Sequence, residues 1–281
     1  MKKQLKSFAF AVLAGVVITS CADSASINQE AASSYTQEMG KIRSQGAIDT
    51  TSNTARRIHH VFNKMVPYAN QANETGLKFN WQINVIKSKE LNAWAMPGGK
   101  MAFYTGLVDT LQLNDNEIAV VMGHEMAHAL KEHGKAKANF GTMSAIAGAI
   151  GGTALSVVVG ADVTDLVTLT KDFALDKPYS RSAETEADEV GLMLMARSGY
   201  NPQVAPGLWQ KMAKASGGSK GALDVLASTH PSDESRQENL QRLLPEAMEL
   251  YKAAKNKNLH YYSSTNLKDN LFVSTKRNKF I

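Results

Sequence analysis

Two histidines four residues apart inside an apolar run constrain this chain more than any other feature. The stretch GHEMAHALKEHG, Gly123 to Gly134, holds three of the seven histidines. The run from Asn114 to Ala138 reads as one helix. Asn114 with Glu117 three residues on forms a capping pair, and Asp115 and Glu117 suit a helix N-terminus. Ile118, Val121 and Met122 repeat at the spacing of a buried face, and Lys131, Lys135 and Lys137 gather toward the far end, where the helix dipole favours cations. On such a helix His124 and His128 point the same way, one turn apart, and can reach one small ion. Glu125 is turned by about 100° from His124. That sets it beside the ion rather than on it, where it can take a proton from water that the ion activates. His133, nine positions past His124, falls on roughly the opposite side of the helix and is expected not to bind the same metal. The other reading is a pair of surface histidines beside an ordinary glutamate, and a third ligand distinguishes the two.

One subclass of such sites takes its third ligand from the same segment, as His-Glu-x-x-His-x-x-Gly-x-x-His. Here Lys131 holds the glycine place and Gly134 the last histidine place, so the ligand comes from elsewhere. The stretch SRSAETEADEVGLMLMARSGY, Ser180 to Tyr200, reads as a second helix, capped by Ser182 and ended by Gly199. Glu184 and Asp188 are four apart on one face. One carboxylate can bind zinc, while the other accepts the N–H of a ligand histidine and fixes its tautomer. An acidic, solvated helix start is the alternative, but Glu184, Glu186, Asp188 and Glu189 crowd together without basic partners at i+4.

Four motifs in order, His124-Glu125-x-x-His128, Ser180-Arg181-x-x-Glu184-x-Glu186-Ala187-Asp188, His230-Pro231 with Arg236 beyond, and Asn92 to Leu107 before them, resemble the zinc metallopeptidase family that includes HtpX, Oma and the CAAX-prenyl proteases. The likeness runs from about residue 55 to 245 and is greatest to the periplasmic lipoprotein branch of LoiP- and BepA-like proteins. It implies an α+β, mainly helical zincin-type (gluzincin) domain with a small mixed β-sheet beside the motif helix. It further implies one zinc ion held by His124, His128 and Glu184, with Glu125 as general base, Asp188 behind a ligand histidine, and His230 near the metal. In some relatives the histidine at that place binds zinc and closes the site. His230 or Arg236 suits the stabilisation of an oxyanion; Arg236 suits equally the holding of an acidic group in the fold.

The ends of the chain read differently from its middle. Residues 1–20 have the form of a secretory leader, with Lys2, Lys3 and Lys6 before an apolar run from Phe8 to Ile18 that is too short to span a membrane. Ile18-Thr19-Ser20-Cys21 resembles a bacterial lipobox, and Cys21 is the single cysteine, so a lipid anchor at Cys21 is expected and an internal disulfide is excluded. Ala22 stands where an aspartate would signal retention in the inner membrane, which favours the periplasmic face of the outer membrane. Residues 21–50 read as a polar tether that can become helical, 51–250 as the metallopeptidase domain, and 251–281 as a basic C-terminal extension. The net charge of +5 resides in the ends. Three leader lysines, and seven basic residues against Asp269 in the last 31, leave residues 7–250 at −4. That middle is no nucleic-acid footprint. The tail reads as a solvated extension in preference to a contact with anionic lipid or a partner.

Trp81 to Ser88 alternates as a strand, and Leu91 to Ala95 and Lys100 to Tyr104 flank the turn signal Pro97-Gly98-Gly99. An edge beside the metal helix could pair with an extended peptide; ordinary hairpin strands fit the same residues. Gly141 to Ala161 is uncharged but rich in small residues and broken by Gly148, Gly151 and Gly152, which favours packed helices or a lid over a membrane span. The expected function is zinc-dependent endopeptidase action on unfolded or misassembled envelope proteins, with protein substrates and outer-membrane assembly machinery as candidate partners. A latent periplasmic chaperone that binds outer-membrane proteins and seldom cuts is the alternative. A purely structural metal site would ordinarily be closed by four protein ligands with no base beside the ion.

Overall fold

The computed structural model describes residues 23–135, 178–216, 230 and 234–277. The leader, Cys21 and the segment 141–161 lie outside the described residues. In chain order the elements are α1 (Ser24–Ser44), α2 (Asn53–Gln71), β1 (Gln82–Ile86), β2 (Ala93–Met96), β3 (Lys100–Tyr104), α3 (Thr105–Leu111), α4 (Asp115–Leu130), α5 (Arg181–Arg197), a 3-10 turn at Pro202–Val204, α6 (Ala205–Ser216) and α7 (Glu234–Arg277). The fold is mainly helical with one small mixed sheet, as the family resemblance implies.

The sheet has the order β1-β3-β2, with β1 parallel and β2 antiparallel to β3. Between β2 and β3 the chain turns at Gly98 and Gly99, both at positive φ, the backbone that glycine adopts without steric cost. Alternate residues of the strands serve two cores. Val85, Ala93, Ala95, Met101 and Phe103 face a large cluster with α2 and α4, while Ile86, Trp94, Met96, Ala102 and Tyr104 face a smaller one under α1. Burial on both faces accounts for the apolar run of β2 and for that of β3 after Lys100.

Residues 24–44, legible as a polar tether, form a full helix in contact with the domain. Ala31, Tyr35 and Met39 recur every fourth residue and pack on the sheet, and the Tyr35 hydroxyl donates to the Met101 carbonyl at 2.8 Å. At the other end, residue 250 is no break in structure: α7 runs unbroken through it for 44 residues.

α4 begins with the capping box expected of Asn114 and Glu117. The Asn114 side chain accepts from the Glu117 amide at 3.1 Å, and the Glu117 carboxylate accepts from the Asn114 amide at 2.9 Å. Every residue from Ile118 to Leu130 is buried, so this helix is a core element on all sides. It ends at Leu130, eight residues before the expected Ala138, because Glu132 takes a left-handed conformation at φ 52°. α5 is capped by Ser180, whose hydroxyl accepts from the Ala183 amide at 3.2 Å, and not by Ser182 as expected. α4 and α5 touch through backbone. A Cβ on Gly123 would stand 2.7 Å from the Gly191 carbonyl oxygen, and one on Gly191 would stand 2.7 Å from Gly123 carbon. No described helix is long and apolar enough to cross a membrane.

Candidate metal centre

The close approach of α4 to α5 sets His124 and His128 opposite Glu184 and Asp188. His230, from the segment between α6 and α7, completes a cluster of four buried residues, His124, His128, Glu184 and His230. His128 Nε2 stands 3.0 Å from His124 Nε2, and His230 Nδ1 stands 3.2 Å from His124 Nε2 and 3.0 Å from Glu184 Oε1. Glu184 lies 3.4 Å from each of the two Nε2 atoms. Ligand atoms held tetrahedrally at about 2.0–2.1 Å from zinc stand about 3.3 Å apart, so this spacing is that of a coordination shell.

The outward ring atoms of the motif histidines are engaged. His124 Nδ1 donates to Asp188 Oδ1 at 2.9 Å, which leaves its Nε2 to present a lone pair to the centre. Asp188 in turn accepts from Arg236 Nε at 2.7 Å and Nη2 at 2.9 Å, while Arg236 Nη1 lies 2.9 Å from Glu184 Oε2. Arg236 is buried and stacked 4.8 Å from the Trp209 ring. Of the two roles open to Arg236, its contacts correspond to the holding of acidic groups. Tyr179 stacks on the His128 ring at 4.1 Å.

The electrostatics point to a cation. Burial opposes charge on His124, but the hydrogen bonds and proximity of Asp188 and Glu184 outweigh it and raise its pKa to about 9. The two carboxylates thus call for positive charge at that ring, which a proton or a metal ion can supply. Burial opposes ionisation of Glu184, but hydrogen bonds from His124, His128 and His230 hold it well below the usual carboxylate range. Asp188 follows the same pattern, with His124 and Arg236 overcoming burial. His128 is pushed well down by burial, so its ring stays neutral. Glu125 differs. Burial pushes its pKa up, its Oε1 has no hydrogen-bond partner, and that oxygen lies 3.4 Å from His230 Nε2.

Reading from the sequence did not find the place of His133. The turn at Glu132 folds it back, so its Nδ1 meets His128 Nδ1 at 2.9 Å and its Nε2 meets Glu186 Oε2 at 3.1 Å. It lies outside the four-residue cluster, but it is not on the far side of the helix. Gly134, one residue on, was the available sign of an early helix end.

Fold and donor set together define a zincin-type metalloprotease domain. The pattern of Peptidase family M48 matches residues 52–244, and the chain belongs to that family. It is 32% identical over 203 residues to the mitochondrial metalloendopeptidase OMA1 of Bos taurus, covering 69% of this chain and 37% of that protein. It is 30% identical over 173 residues to the metalloprotease YcaL of Escherichia coli, covering 60% of this chain and 63% of that one. To the metalloprotease LoiP of the same organism it is 27% identical over 173 residues, with 60% and 66% covered. The chain thus spans about a third of the length of the bovine relative and less than two thirds of YcaL. M48 peptidases are zinc-dependent, and His124, His128, Glu184 and His230 provide a ligand set for one such ion.

Proposed function

We propose that the protein is a zinc-dependent metalloendopeptidase of the bacterial cell envelope that hydrolyses peptide bonds in unfolded or misassembled envelope proteins, anchored through a lipid on Cys21. The observation that carries the peptidase reading is the convergence of two imidazole Nε2 atoms, 3.0 Å apart, on the Glu184 carboxylate, beside a buried Glu125 oxygen that accepts no hydrogen bond. In this reading His124, His128 and Glu184 hold the zinc. When bound, the metal polarises the scissile carbonyl and activates water for attack.

Glu125 accepts the proton of the attacking water at its carboxylate and passes it to the leaving amine. Burial raises its pKa, which suits a group that must both take and return a proton. Asp188 keeps the His124 ring in the tautomer that leaves Nε2 free, and Arg236 keeps both Asp188 and Glu184 in place. His230 Nε2, beside Glu125, is the group available to stabilise developing negative charge. Among the described residues β2 is an edge of the sheet, and it packs against the helix that carries Glu125. An extended substrate added to that edge would run past the base with little demand on its side chains.

A second reading, a latent chaperone or assembly factor of the periplasm, is favoured by one observation. His230 Nδ1 lies within the donor set, 3.0 Å from Glu184 and 3.2 Å from His124, so a fourth protein group can occupy the position that a substrate needs. Incubation of the zinc-loaded protein with unfolded casein separates the two. Fragments that vanish with chelator support the peptidase; binding without fragments supports the chaperone.

A further inference from the structure

We propose that His133 and Glu186 form a relay that positions His128 as a metal ligand. The proposal rests on the zinc reading of the centre and deepens it. If His128 turns its Nε2 lone pair toward the centre, its one ring proton resides on Nδ1 and must be donated outward. The atom that receives it, at 2.9 Å, is Nδ1 of His133. That atom must then carry a lone pair, so the His133 proton resides on Nε2, which points to Glu186 Oε2 at 3.1 Å. One assignment of protons satisfies every contact in the row, with His128 donating to His133 and His133 donating to Glu186. His133 is buried, so it has little access to water as a substitute partner. Glu186 is half exposed and has Lys131 Nζ at 3.5 Å.

The row mirrors the support of the other ligand histidine at one remove. His124 donates directly to a carboxylate, Asp188; His128 reaches a carboxylate through an intervening imidazole. Both acceptors come from α5, which carries Glu184, Glu186 and Asp188 at alternate positions. Partners of this kind fix the orientation of a ligand ring and raise its basicity, and their loss typically weakens metal binding about 10–100-fold. His133 and Glu186 are positioning residues: they act on the metal through His128.

The test is zinc affinity of the full chain by chelator competition at fixed pH. His133→Phe, which keeps a ring but no acceptor, is expected to bind zinc about 10–100-fold more weakly than the unaltered protein. His133→Asn places an oxygen near the position of Nδ1 and is expected to restore most of the loss, which filling of space alone would not do. Equal affinity in His133→Phe, or an Asn variant as weak as the Phe variant, overturns the relay while leaving the zinc site intact. Failure of the unaltered chain to bind zinc overturns the metal reading itself, and the relay with it. If the Phe variant does not fold, nitrogen NMR of the histidine-labelled zinc protein decides. A neutral His133 protonated at Nε2 supports the relay, and protonation at Nδ1 overturns it.

Discussion

Gly123 and Gly191 bring two helices into backbone contact, and the metal centre depends on that contact. With no Cβ on either side, α4 and α5 approach until His124 donates to Asp188 at 2.9 Å. Gly191→Ala should therefore run against helix propensity. Alanine in a helix interior normally stabilises relative to glycine, but here it meets Gly123 carbon at 2.7 Å. A loss of about 1–3 kcal/mol is expected from overpacking, together with weaker zinc binding, read by urea unfolding and chelator competition. A stabilised variant with undiminished zinc affinity would refute the close-contact account.

Glu125→Gln is expected to retain one zinc per chain and to lose casein cleavage by about 100- to 10,000-fold, the range of a general base. Metal content and fragment yield measure the two parts. Cleavage at the unaltered rate would remove Glu125 from the proposed mechanism. Chelator should abolish cleavage by the unaltered protein, and added zinc should restore it.

Arg236 is buried against two buried carboxylates. Arg236→Met removes the permanent cation from both and leaves the imidazoles as their partners, and breaking a buried pair in this way costs about 3–5 kcal/mol. Denaturant unfolding with chelator present should read that loss. Zinc should recover part of it, because the cation compensates Glu184 directly. A variant as stable as the parent without metal would show that a protonated His124 alone compensates the two carboxylates.

Far from the centre, Tyr35 binds α1 to the sheet, and burial raises its pKa to about 12. The sign follows from proton binding: between pH 10 and 12 the unfolded chain has lost the phenolic proton and the folded chain keeps it. Stability is full below pH 10 and falls above it, by at most about 1.4 kcal/mol per pH unit for this group. Tyr35→Phe should lower stability at neutral pH and make the alkaline fall shallower. Tyr200, also raised to about 12, supplies a remaining slope.

Much of the site was legible because helical spacing is short-range geometry. His124 and His128 share a face by sequence separation alone, and so do Glu184 and Asp188; the capping box at Asn114 was legible for the same reason. β3 matches its expected bounds, Lys100 to Tyr104. What was not legible depended on a break or a distant partner. Continuing the helix to Ala138 sent His133 to the wrong side, because one left-handed residue, Glu132, is not signalled by its side chain. Ser180 and Ser182 are equally good caps by composition, and the turn before α5 chose the first. The packing of α1 was signalled by Ala31, Tyr35 and Met39 at intervals of four, within a segment whose polar composition spoke for a tether. The carboxylates that Arg236 holds, Asp188 and Glu184, lie 48 and 52 residues before it in sequence, beyond any local pattern.

Glu125, Glu184 and Asp188 are buried together with Arg236. With neutral imidazoles, their formal charges sum to −2 when all three acids are ionised. A divalent ion brings that interior to neutrality, whereas a monovalent ion leaves it negative and a trivalent one overshoots. The valence the pocket accepts is therefore set partly by a residue that need not touch the ion: exchanging the guanidinium for a neutral side chain would leave an excess negative charge even with zinc in place.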